Sequence, residues 1–250
     1  MTEIQIANNI FVSPQLCISK FPKEITYDIL RQVDLNFSFA LDVQPFSSRH
    51  TLIYPADTPI PKCCPLGNFH KILLSAKDSF PQLVFQFSHE YCHHLIDGTM
   101  SGEIYGLMWL EETICELSSM YHLQVFYNIW SNTSEDCFKY HLAYLFQDYL
   151  QILLETGSEQ LYHTLHQKGL EEWIPEYLLM YMRKSRKMRN DVAVLMYPLF
   201  LENPHLWKII LHFGDMRRWH SLEELFLHLR RNATPDYSDS LEKLHLLLLS

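Results

Sequence analysis

Residues Asp78 to Gly98 contain the strongest local constraint in the chain. Asp78-Ser79-Phe80-Pro81 supplies a capping side chain and a first-turn proline, where a missing N–H costs nothing. Apolar Leu83, Val84, Phe87, Tyr91 and Leu95 then recur at helical spacing, and Gly98 stops the run. This predicts a helix of about four turns with one buried face. Inside it stands His89-Glu90-Tyr91-Cys92-His93. Positions i and i+4 share a helix face, so the two imidazoles can converge on one ion, with Glu90 beside them and not needed as a ligand.

A second helix is predicted over about Glu103 to Trp130, apolar along Leu110, Ile114, Leu117 and Tyr121. Glu112 and Glu116 lie one turn apart on an adjoining face. Such a like-charged pair is mildly unfavourable on a plain surface helix. It makes sense if Glu112 is a third metal ligand and Glu116 orients a histidine ligand from behind. Three protein ligands leave a fourth position to water, the layout of a catalytic zinc site rather than a closed structural one. Zn2+ is therefore the expected cofactor. Glu111 stands as an alternative third ligand at a different spacing. His94, rotated about 100° from His93, is expected at the surface or behind the ligands.

HExxH, eighteen intervening residues, then Glu within Trp-Leu-x-Glu resembles the gluzincin zinc metallopeptidases, in the spacing of their aminopeptidase-N and leukotriene-hydrolase branch. Trp109-Leu110-Glu111-Glu112-Thr113-Ile114-Cys115 is similar to that branch's Trp-Leu-Asn-Glu-Gly-Phe-Ala. Glu116 resembles the carboxylate that the thermolysin branch keeps behind its zinc-bound histidine. The resemblance spans about residues 68–120. It implies a zincin-like fold and a peptide or protein substrate. Glu90 would take a proton from water and return it to the leaving amine. The strand at 70–75 is similar to the sheet edge on which a peptide adds in such enzymes. A tyrosine or histidine from the helical half would stabilise the oxyanion; the sequence offers fourteen tyrosines and His205, His212 and His220, of which Tyr197, before Pro198, is the candidate preferred. No Gly-x-Met-Glu-Asn segment is found, so the resemblance does not extend to capture of a free substrate N-terminus.

The rest of the chain reads as α+β. Short strands are predicted at Ile4–Ile6, Ile10–Val12, Thr51–Tyr54 and 70–75, with a helix from Pro22 to about Val33 and a loop from Pro55 to Pro65. Helices follow at about 134–155, 158–168, 173–184, 190–202, 204–213, 220–231 and 238–249. Residues 1–130 are expected to form a zincin-like catalytic lobe, and residues 131–250 a helical lobe completing a cleft. Hydrophobic residues at 48% support a large core, and a net charge of −9 speaks against nucleic acid as a partner. No signal peptide and no apolar run near twenty residues is seen, so a cytoplasmic protein without membrane association is expected. The six cysteines are then reduced thiols, Cys63-Cys64 in a loop and Cys92 and Cys115 in helix packing.

Arg183-Lys184-Ser185-Arg186-Lys187-Met188-Arg189 is a basic run in an acidic protein. It reads either as a solvated turn or as a handle for a carboxylate, a phosphate or an acidic partner. The expected function is that of a zinc-dependent metallohydrolase cleaving peptide bonds. The alternative is a non-catalytic helical interaction protein retaining the metal site, and a third reading makes the motif accidental. The oligomeric state is not legible.

Overall fold

The computed structural model describes residues 2–18, 21–42, 50–96, 107–133, 136–155, 186–218 and 221–249. Its class is α+β. A five-stranded mixed sheet comprises β1 (Ile4–Ala7), β2 (Ile10–Val12), β3 (His50–Pro55), β4 (Lys62–Leu66) and β5 (Phe69–Leu74), in the order β1-β2-β3-β5-β4. The β2–β3 and β3–β5 pairs are parallel, and an antiparallel hairpin closes each side. The β4–β5 turn contains Gly67 at φ +60°, where a Cβ would be strained although nothing lies near enough to clash with it.

Two expectations change here. The segment Pro55–Pro65 is not all loop, because Lys62-Cys63-Cys64-Pro65-Leu66 is a strand. Consequently 69–74 is an interior strand, and the edge on that side of the sheet is β4. Proline is tolerated in β4 because that strand pairs on one side alone among the described residues.

Period-two alternation sets the buried face. In β5, His70, Ile72 and Leu74 point inward. Across the sheet, Val12, Ile53, Ile72 and Cys63 lie in one row, all buried. Helices α1 (Lys23–Leu41) and α2 (Phe80–Ile96) pack over the sheet. α1 runs past Val33 because Asp34 does not end it: the Tyr91 hydroxyl of α2 donates to Asp34 Oδ1 at 2.6 Å, in the core.

α2 begins where Ser79 Oγ accepts from the Gln82 N–H at 3.3 Å. Of its seventeen residues only Gln82 and His89 are not buried. Gln86 anchors it to the sheet: Oε1 accepts from the Ser75 and Ala76 N–H groups at 2.9 and 3.0 Å, and Nε2 donates to Ser75 Oγ at 2.8 Å.

α3 (Met108–Ser131) runs antiparallel to α2. The Ser118 hydroxyl donates to the Ser88 carbonyl at 3.0 Å, and that of Ser119 to the Phe85 carbonyl at 2.8 Å. Small side chains permit this close approach, and their bonds fix the register of the two helices.

Beyond α3 the described residues are helical: α4 (137–155), α5 (Arg186–Glu202), a 3₁₀ segment (Pro204–Arg218), α6 (Leu222–Asn232) and α7 (Ser238–Leu249). The helices expected at 158–168 and 173–184 lie outside the described residues. Buried apolar side chains form one cluster reaching from Ile6 to Leu248. Among the described residues, no helix is long and apolar enough to cross a membrane.

Candidate metal centre

The α2–α3 register brings His89, His93 and Glu112 together. His89 Nε2 lies 3.8 Å from Glu112 Oε2, and His93 Nε2 lies 3.5 Å from Glu112 Oε1. One ligand atom from each of the three residues falls within 4.8 Å of the others. Ligand atoms on a tetrahedral zinc ion are roughly 3.4 Å apart, given bond lengths near 2.1 Å. The two histidine–Glu112 separations lie within about half an ångström of that spacing. These three residues form a group that could hold a metal ion.

The opposite edge of each imidazole meets another carboxylate. Nδ1–H of His93 donates to Glu111 Oε1 at 2.8 Å, and His89 Nδ1 lies 3.4 Å from Glu116 Oε2. The Glu111 hydrogen bond selects the His93 tautomer that leaves Nε2 free to coordinate. Glu116 stands on the Nδ1 side of His89, where the buried Nδ1 makes no hydrogen bond among the described residues. Glu111, the alternative third ligand, reaches Nδ1 of His93 instead, a supporting partner that sequence reasoning did not assign. Adjacent residues on a helix differ by about 100°, so a Glu-Glu pair can present one carboxylate to each side of a ring.

The local electrostatics call for a cation. Burial opposes charge on His93, but the Glu111 hydrogen bond and the carboxylates of Glu112, Glu111 and Glu90 outweigh it, raising its pKa to about 10. Burial also opposes charge on Glu112, yet His93, His89 and Arg189 hold its carboxyl below the ordinary value against repulsion from Glu116. Without a metal, a proton on His93 supplies the positive charge that the carboxylates favour. Buried carboxylates gathered around two histidines are the donor set of a divalent-ion site.

The group lines a cleft of about 440 Å³, within the usual range for ligand sites. Glu90 lines it beside His89 and His93. The two residues of α2 that escape burial, Gln82 and His89, are both on its wall. Pro59, Ile60, Pro61 and Lys62 form another side, so the segment leading into β4 borders the site. Its position is tied down by the Ser75 hydroxyl, which donates to the Pro59 carbonyl at 3.0 Å. Tyr149 of α4 and Arg189 of α5 come from the helical half. Neither carries a local signal in the sequence, although Arg189 ends the basic run Arg183–Arg189.

Tyr197 is not brought to the cleft. Its hydroxyl donates to Gln124 Oε1 of α3 at 3.4 Å, and burial pushes its pKa up. Gln124 follows Glu112 by about 18 Å along the helix axis, which separates that tyrosine from the metal group. His94 turns away too, but is not a surface residue. It is buried against the sheet, where Nε2 shares a hydrogen bond with Thr51 Oγ1 at 2.9 Å and Nδ1 lies 2.8 Å from His70 Nδ1. The sequence matches no protein-family model and none of the curated proteins.

Proposed function

We propose that this protein is a zinc-dependent metallohydrolase, a peptidase of gluzincin type. One observation supports the reading above all: both histidines present Nε2 to Glu112 and Nδ1 to a second carboxylate, while Glu90 lines the same cleft. A zinc ion held there would polarise a carbonyl and bring the pKa of a bound water near 7.

His89, His93 and Glu112 hold the ion, and Glu111 and Glu116 keep the rings aligned. Glu90 accepts the proton of the attacking water and delivers it to the departing amine. An extended chain lies along the free edge of β4, whose preceding residues border the cleft. Backbone pairing there is the means of docking expected for an open strand. Edge-strand docking thus passes from 70–75 to 62–66.

The test is a peptide-library digestion with zinc quantitation on wild type and Glu90→Gln. Stoichiometric zinc in both, with cleavage by wild type alone, is the expected result. Equal cleavage by both excludes Glu90 as the base. Zinc retention without cleavage by either favours a binding protein that keeps the metal site.

A further inference from the structure

We propose that Arg189 is the oxyanion-stabilising residue of this site, an inference that rests on the metallohydrolase reading above. Arg189 lies in the first turn of α5 and lines the cleft with the metal group. Its Nε stands 3.8 Å from Glu112 Oε2, too far for a hydrogen bond. That Nε is buried and has no hydrogen-bond partner among the described residues. A buried N–H donor left without an acceptor is uncommon and calls for one. The side chain is still 24% exposed, so an incoming group can reach it.

The position of α5 is built rather than incidental. Asn190, buried, donates through Nδ2 to the Leu153 carbonyl of α4 at 3.0 Å. The contact seats the start of α5 against the helix that supplies Tyr149. Arg189 thereby stands beside a carboxylate oxygen of the metal group, on the wall of the cleft that a substrate would enter. A guanidinium offers several N–H donors in a fixed fork and remains charged at any working pH.

During hydrolysis, the water oxygen forms a bond to the carbonyl carbon and the carbonyl π pair moves onto its oxygen. Glu90 takes the water's proton. Arg189 N–H groups donate to the oxyanion. The pair then returns, the C–N bond breaks, and the proton passes from Glu90 to the amine. Preorganised donors aimed at developing charge are a large contributor to catalysis of this kind. Tyr149 has a different setting. Its ring packs edge-on to Phe85 and also forms a wall of an adjoining apolar cavity with Phe21, Phe80 and Leu145. We assign it to the shape of the cleft.

Inorganic phosphate, a tetrahedral anion, probes the role without a known substrate. Its affinity for the zinc-loaded protein is measured by calorimetry for wild type, Arg189→Gln, Arg189→Lys and Tyr149→Phe. Zinc affinity and thermal midpoint are measured alongside. Arg189→Gln is expected to bind zinc at least as tightly as wild type and phosphate about 10- to 100-fold more weakly, the range for losing a charge-assisted bond. Arg189→Lys restores much of that loss, and it tests the charge should the glutamine variant fail to fold. Unchanged phosphate affinity in a zinc-loaded Arg189→Gln protein overturns the proposal and leaves the metal site standing. Loss of phosphate binding in Tyr149→Phe instead, or loss of zinc along with phosphate in Arg189→Gln, also overturns it. Wild type that binds no zinc removes the metal reading itself.

Discussion

Glu111 Oε1 lies 2.8 Å from Nδ1 of His93, on the side of the ring opposite the Nε2 that faces Glu112. Once the ring gives up one proton, a carboxylate there keeps the other on Nδ1 and leaves the lone pair on Nε2. Glu111→Gln removes the charge while nearly preserving shape. Zinc affinity is expected to fall about 10- to 100-fold, the usual cost of losing such a partner. Glu112→Ala, which deletes a ligand, costs more. Competition with a chromophoric chelator ranks the two, and equal affinity in Glu111→Gln and wild type would contradict this assignment.

A zinc ion binding at this group would have to displace a proton from His93. The His93 pKa is raised to about 10 in the fold, above the value of 6.5 for an ordinary histidine. Protonated His93 therefore stabilises the metal-free protein fully below pH 6.5, and that contribution disappears as pH rises through about 10. Between those values zinc binding should release close to one proton from this ring, and apparent affinity should rise about tenfold per pH unit. Calorimetry in buffers of different ionisation enthalpy counts the protons. A release near zero at pH 8 would show that His93 is already neutral.

The core pair Tyr91–Asp34 gives a stability prediction independent of metal. Burial raises the Asp34 carboxyl, and the Tyr91 hydrogen bond acts in the opposite direction. Tyr91→Phe leaves a buried acceptor without its donor and should destabilise by about 1–3 kcal/mol in urea unfolding. Asp34→Asn keeps an oxygen for Tyr91 and removes a buried charge, so it should be neutral or stabilising at pH 7. Because a raised folded pKa favours the protonated carboxyl, stability due to Asp34 falls as pH rises through that value, and Asp34→Asn abolishes this dependence.

Gln86 satisfies two backbone N–H groups at the end of β5 and holds Ser75, which in turn holds Pro59. Gln86→Leu orphans both donors and should cost about 2 kcal/mol or more. Amide exchange at Ser75 and Ala76 should quicken. If those amides stay as protected as in wild type, the anchoring role is wrong.

What could be read from the sequence follows from the range of the forces involved. His89 and His93 lie one turn apart on one helix, and Glu112 and Glu116 one turn apart on another, so each pair shares a face by local geometry. The strands Ile10–Val12 and Thr51–Tyr54 also show their own pattern. β4 does not: Pro65 and the cysteines resemble a loop, and strand formation there depends on pairing with β5. Glu111 and Glu112 are neighbours whose separate roles emerge only when a second helix is placed beside them. Ser118 and Ser119 look like weak spots in an apolar helix until they bond across to α2. Arg189 belongs to a basic run that reads most simply as solvated, and the polar helix start before Tyr197 does not reveal that its hydroxyl meets Gln124 instead of the cleft. Long-range packing decides these cases.

The edge of β4 that is unpaired among the described residues has a consequence for self-association. Exposed strand edges recruit copies of themselves, and proteins blunt them with proline and lysine. Here Pro61 and Pro65 bracket Lys62-Cys63-Cys64, so only a short interval can donate from its backbone. A stack of identical chains would find too few bonds to grow, whereas the peptide docking proposed above would need only a few residues. The same prolines that disguise this strand in the sequence would let it stay open in solution without nucleating a fibre.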